Sequence, residues 1–194
     1  PTDGGTVSGP EFKSGKKIST DELAVEDTSY LTLGHQVLEL MGCIAAAHAN
    51  NTFDKQEEYL ISPGVPFCVQ AGPSFLHELA GLLETLLKSQ KNTDETNHVW
   101  PKDATSTAIL ACLRIFRANL KYLSRVTQSL SGKELLNEYA PTISLMKKSL
   151  EDLMQLGDVD AKLFCNELAS TVEDGLSILY PDSQSVAALL RTLL

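Results

Sequence analysis

The residue types best suited to chemistry in this chain are its four histidines and four cysteines. At suitable spacing these side chains bind zinc, or serve as base and nucleophile in covalent catalysis. The histidines are scattered along the chain, at His35, His48, His77 and His98. His77-Glu78 does not open an H-E-x-x-H zinc motif, because position 81 is a glycine, and the chain has no glycine-rich phosphate loop. We therefore predict a protein that is not an enzyme, with no catalytic residue, metal or cofactor.

The cysteines stand singly among apolar residues, at Cys43, Cys68, Cys112 and Cys165. Their spacing matches no zinc pattern. Because an unpaired cysteine behaves as a small hydrophobic residue, we interpret them as reduced thiols of the core. Reduced thiols favour a cytoplasmic or nuclear protein. The even count leaves an alternative, which is a secreted, cytokine-like helical bundle with paired cysteines.

A basic strip recurs every three or four residues in one long predicted helix, at Arg114, Arg117, Lys121 and Arg125. Residues at this spacing lie on one side of a helix. A strip of this kind is either a solvated helix face or a docking site for an acidic partner. The basic strip is therefore the candidate partner-binding site.

The composition is that of a globular protein with an acidic surface. The chain has 194 residues, of which 43% are hydrophobic, and a formal net charge of -9. This length is sufficient for one well-buried core. The negative charge argues against nucleic acid and anionic membranes as partners, since both attract basic proteins. No apolar run approaches the roughly 18–20 residues of a membrane span.

The apolar residues, mostly leucines, recur at helical spacing over most of the chain. We predict an all-α fold of about six main helices in antiparallel pairs, because the turns between several of them are short. The predicted helices cover about 29–49, 73–87, 103–129, 131–157, 158–180 and 183–194. Pro141 either kinks the fourth helix or divides it. The Pro/Gly-rich segment 62–73 is predicted as a packed loop of unassigned role.

The first predicted helix has its large apolar residues on one face, which we expect to pack on the core. That face consists of Leu33, Val37, Leu40, Met41 and Ile44. Upstream of it the chain is rich in Gly, Ser, Thr and Lys. We therefore predict a disordered N-terminal tail over residues 1–27 and a helical domain over residues 28–194.

The last residues, Val186-Ala-Ala-Leu-Leu-Arg-Thr-Leu-Leu194, form another amphipathic stripe. The segment 187–194 matches Ala80-Gly-Leu-Leu-Glu-Thr-Leu-Leu87 at six of eight positions. With its leucine-striped helices and short turns, the chain resembles armadillo- or HEAT-type helical repeats. That resemblance implies a scaffold segment of a large eukaryotic regulator, of which ubiquitin ligases are one type. It also implies that the parent chain continues beyond Leu194 with another helix that covers this stripe.

We therefore expect a non-catalytic protein–protein interaction or scaffold module of a larger intracellular regulatory protein. Its partners are expected to be proteins, in the form of an acidic or helical peptide, that dock between helices or on the basic strip. A compact helical adaptor bundle is the alternative within the same fold class.

Overall fold

The computed structural model describes residues 20–51, 67–91, 102–127, 130–156 and 158–182, together with 184, 185, 187, 188 and 191. Every element in these ranges is an α-helix, which confirms the all-α prediction. The helices are α1 (Thr20–Asn51), α2 (Pro73–Lys91), α3 (Lys102–Val126), α4 (Leu130–Met154) and α5 (Asp158–Leu179). Most of the predicted sixth helix, including its leucines, lies outside the described residues. The described residues within it are helical, namely Gln184, Ser185, Ala187, Ala188 and Arg191.

Helix α1 begins at Thr20, earlier than the predicted start near residue 29. The segment 20–28 contains no proline or glycine, and acidic residues follow Thr20 directly. Acidic residues in a first turn interact favourably with the helix dipole, so this polar segment extends the helix upstream of its apolar part. Residues 1–19 of the predicted tail lie outside the described residues, as do residues 62–66 of the predicted packed loop.

Helix α4 is a single element that runs through Pro141. A proline inside a helix removes one backbone hydrogen bond and leaves the carbonyl four residues earlier without its partner. Pro141 and Asn137 are both exposed, so water can reach that carbonyl. Exposure therefore explains why the helix continues through the proline without dividing.

Helices α1, α3 and α5 lie side by side and run in the same direction. From α1 to α3, His35 contacts Thr107 and Ala49 contacts Lys121. From α3 to α5, the contacts likewise advance together along both helices, from Leu113–Thr171 to Ser124–Ser177. Because α3 packs against both neighbours, it forms the centre of this three-helix layer.

Helices α2 and α4 form a second pair and are parallel to each other. The Thr142 hydroxyl donates to the Pro73 carbonyl at 3.2 Å, and Lys148 pairs with Glu84 at 3.3 Å. Both helices also pack on α3. Since α2 begins beside Asn119, near the carboxyl end of α3, this pair runs opposite to the first layer.

Helix α3 is buried around most of its circumference, as a central helix must be. Its larger apolar residues recur at helical spacing and form one buried stripe. Its members, all buried, are Ile109, Cys112, Leu113, Phe116, Leu120, Leu123 and Val126. Further core residues from α2, α4 and α5 complete one continuous cluster with it.

The predicted core face of α1 is wrong for Leu33, Val37 and Leu40, which are exposed. Met41 and Ile44 of that face are partly buried and pack against the core. In the range 33–50, where the side chains are described, the buried residues are Leu38 and the small residues Gly42, Ala45 and Ala49. At Gly42 the backbones approach so closely that an added Cβ would lie 2.7 Å from the Cα of Ala111. Such an approach requires small side chains, and it turns the larger residues Leu33, Val37 and Leu40 outward.

The turn before α2 is held by two buried side chains, Asn119 of α3 and Tyr139 of α4. The Asn119 carboxamide donates to the Cys68 carbonyl at 2.7 Å and accepts from the Ala71 amide at 2.8 Å. Tyr139 of α4 donates to the Ala71 carbonyl at 3.0 Å. Because buried backbone polar groups need partners, these bonds set where α2 starts.

No helix in the described ranges is both long enough and apolar enough to cross a membrane.

Candidate interaction surface

The largest exposed apolar feature of the described residues is the side of α1 that faces away from α3. Leu33, Val37 and Leu40 are 57%, 48% and 62% exposed. Ile44 continues the row but is half-buried and packs partly against the core, and Ala47 beyond it is exposed. We define these five residues as the outer face of α1. Their spacing alternates between four and three residues, which is the a/d spacing that helices use to pack on other helices.

The outer face is almost free of charge. Between Leu33 and Asn51 the chain carries a single charged side chain, Glu39, whereas the whole chain has 41 acidic and basic residues. A solvated helix face normally carries several charged residues. The two sides of α1 are therefore both apolar, as in a helix that packs between two others.

The opposite edge of the same layer is polar. Helix α5 also packs on α3, but its exposed residues in the range 164–179 are Asn166, Glu173 and Ser177. A polar edge needs no cover, whereas exposed leucines favour burial against another surface. The three-helix layer thus has a polar edge, formed by α5, and an apolar edge, formed by α1.

Arg114 and Arg117 of the basic strip are used inside the fold. The Arg117 Nε donates to Asp174 Oδ2 of α5 at 2.6 Å, and the two side chains are only 18% and 21% exposed. Glu167 lies 3.6 Å from Arg114 and 3.7 Å from Arg117. Acidic residues of α5 therefore neutralise the charge of these arginines, and no external acidic partner is needed for this.

The remaining strip residues lie towards the carboxyl end of α3. The Lys121 ammonium donates to the Ala49 carbonyl of α1 at 3.0 Å. Arg125 lies in the last turn of α3 and is half-buried. The strip thus lies along the junctions of α3 with α1 and α5, and its charged groups contribute to packing between helices.

The histidines are not brought together by the described structure. His35 is hydrogen-bonded to Thr107 at 2.7 Å, His48 is half-buried near the end of α1, and His77 is exposed on α2. His98 lies outside the described residues. Among the described residues no group of histidine, cysteine and acidic side chains has the geometry to hold a metal ion.

All four cysteines are free thiols in the structure. Cys68 and Cys112 belong to the core, as predicted. Desolvation by burial raises the pKa of the Cys112 thiol to about 12. Cys43 is exposed beside the outer face of α1, which differs from its predicted core position, and Cys165 is half-buried. The disulfides that the secreted-bundle alternative requires are absent from the structure of these residues.

No protein family, curated protein or solved structure matches this chain.

The helical pattern of α1 predicts core positions for the four larger residues of the outer face, of which only Ile44 packs against the core. The signal that distinguishes the two sides is residue size. Gly42, Ala45 and Ala49 form a row of small residues parallel to the row of large ones. Small residues permit the close helix approach seen at Ala111, and the larger residues then lie on the other side of the helix.

Proposed function

We propose that this chain is a non-catalytic protein–protein interaction module that docks a helical partner on the outer face of α1. The observation that carries the proposal is the exposure of Leu33, Val37 and Leu40 on a side of the helix with almost no charge. Apolar residues in an a/d row are the usual contact residues of helix-on-helix recognition.

The layered arrangement supports a scaffold role of the helical-repeat type. In such arrays each helical unit packs on its neighbours, and layers of parallel helices extend by addition of further units. Helices α1, α3 and α5 form one layer, and α2 and α4 form another that runs in the opposite direction. The proposal places the module in a larger regulatory protein of the cytoplasm or nucleus, in keeping with its free thiols.

A helical partner on α1 is favoured over an acidic partner on the basic strip. Arg117 is mostly buried and already paired with Asp174 and Glu167. An acidic ligand would have to displace these carboxylates, whereas a helix on the outer face of α1 would cover exposed leucines without breaking a contact.

Site-specific photocrosslinking tests the proposal in cells. A photoreactive amino acid replaces Leu40 in the full chain, or Glu173 on the polar edge as the control position. We expect a discrete adduct from position 40 that Leu33→Asp abolishes and the matched surface change Asn166→Asp preserves. The adduct is identified by mass spectrometry, with the crosslinked partner segment expected to be helical.

Two results would reject the proposal. Identical adducts from positions 40 and 173 would show that crosslinking is nonspecific. An adduct from position 40 that survives Leu33→Asp would show that the outer face does not carry the interaction. Because Leu33 and Leu40 are exposed, these substitutions are expected to change stability little, which circular dichroism and urea unfolding check.

A further inference from the structure

We draw no further inference here: the strongest candidate, the apolar surface patch that Leu33, Val37 and Leu40 form on the outer face of α1, belongs to the interaction surface already described, and nothing in the structure shows which molecule covers it.

Discussion

Gly42 of α1 lies directly against Ala111 of α3, where an added Cβ would sit 2.7 Å from the Ala111 Cα and 2.8 Å from its Cβ. Both neighbouring atoms belong to a rigid helix, so they cannot move aside as a long side chain can. This contact fixes how closely α1 and α3 approach. It also determines which side of α1 is exposed.

We expect Gly42→Ala to lower the free energy of unfolding by about 1–3 kcal/mol, the usual cost of overpacking. Gly34, also in α1, has no atom within 4 Å of its added Cβ. Gly34→Ala should therefore raise stability by up to about 1 kcal/mol, because alanine favours the helix. Urea denaturation of both variants checks this prediction. Equal changes in the free energy of unfolding would contradict it.

Asn119 is predicted to be a principal determinant of the position of α2. Asn119→Ala leaves the Cys68 carbonyl and the Ala71 amide buried without this partner. Each unsatisfied group costs about 1–3 kcal/mol, so the variant should be strongly destabilised. Asn166→Ala on the exposed side of α5 is the matched control and should stay within about 0.5 kcal/mol of the unmodified chain.

Hydrogen exchange gives a second readout for Asn119. The Ala71 amide donates to Asn119, so we expect it to exchange faster in Asn119→Ala than in Asn166→Ala. Unchanged protection of Ala71 would mean that the turn before α2 is held by its other contacts, such as that from Tyr139.

The Arg117–Asp174 ion pair should contribute measurably to the packing of α5 on α3. A double-mutant cycle with Arg117→Gln and Asp174→Asn is expected to give a coupling energy within about 0.5–3 kcal/mol, since both groups are largely shielded from water. The Lys148–Glu84 pair, in which Lys148 is 61% exposed, is the matched control and should show weaker coupling that salt reduces further. Equal coupling energies in both cycles would contradict this prediction.

Stability should decline at alkaline pH because of Cys112. Burial raises the pKa of its thiol from 9.0 to about 12, so the unfolded chain loses this proton at lower pH than the folded one. The stabilisation is complete below pH 9.0 and is lost as the pH rises towards 12. Burial also raises the pKa values of Tyr139 and Tyr180, so these two residues likewise lower stability at alkaline pH.

Urea unfolding at about pH 7 and about pH 11 measures this decline. Cys112→Ala should make the decline smaller, because the Cys112 thiol is gone while both tyrosines and the Cys68 thiol, whose pKa burial also raises, remain. Cys43→Ala removes an exposed thiol and should leave the decline unchanged. An unchanged decline in Cys112→Ala would show that this thiol does not contribute.

The α3 helix could be predicted from the sequence because its apolar pattern has one solution. In α3 the apolar residues from Ile109 to Val126 outnumber the positions that face solvent, so any helix with this pattern is central to a core. In α1 the pattern has two solutions. Its large residues and its small residues form separate apolar rows, and only contact with Ala111 decides which row packs inward.

The ion pairing of the basic strip within the fold could not be predicted from the sequence, because the acidic partners are far away in the chain. The partners of Arg117 are Glu167 and Asp174, which are 50 and 57 positions downstream. Charge spacing within α3 shows that the strip lies on one side of the helix. It does not show that a parallel helix brings carboxylates to the same side.

The parallel direction of α1, α3 and α5 gives their layer an electrical polarity. Each helix carries roughly half a negative charge at its carboxyl end, and in a parallel layer these charges gather at one end of the molecule. Lys121 donates to the last turn of α1, and Arg125 lies in the last turn of α3. These basic residues are therefore counter-charges for the aligned helix ends.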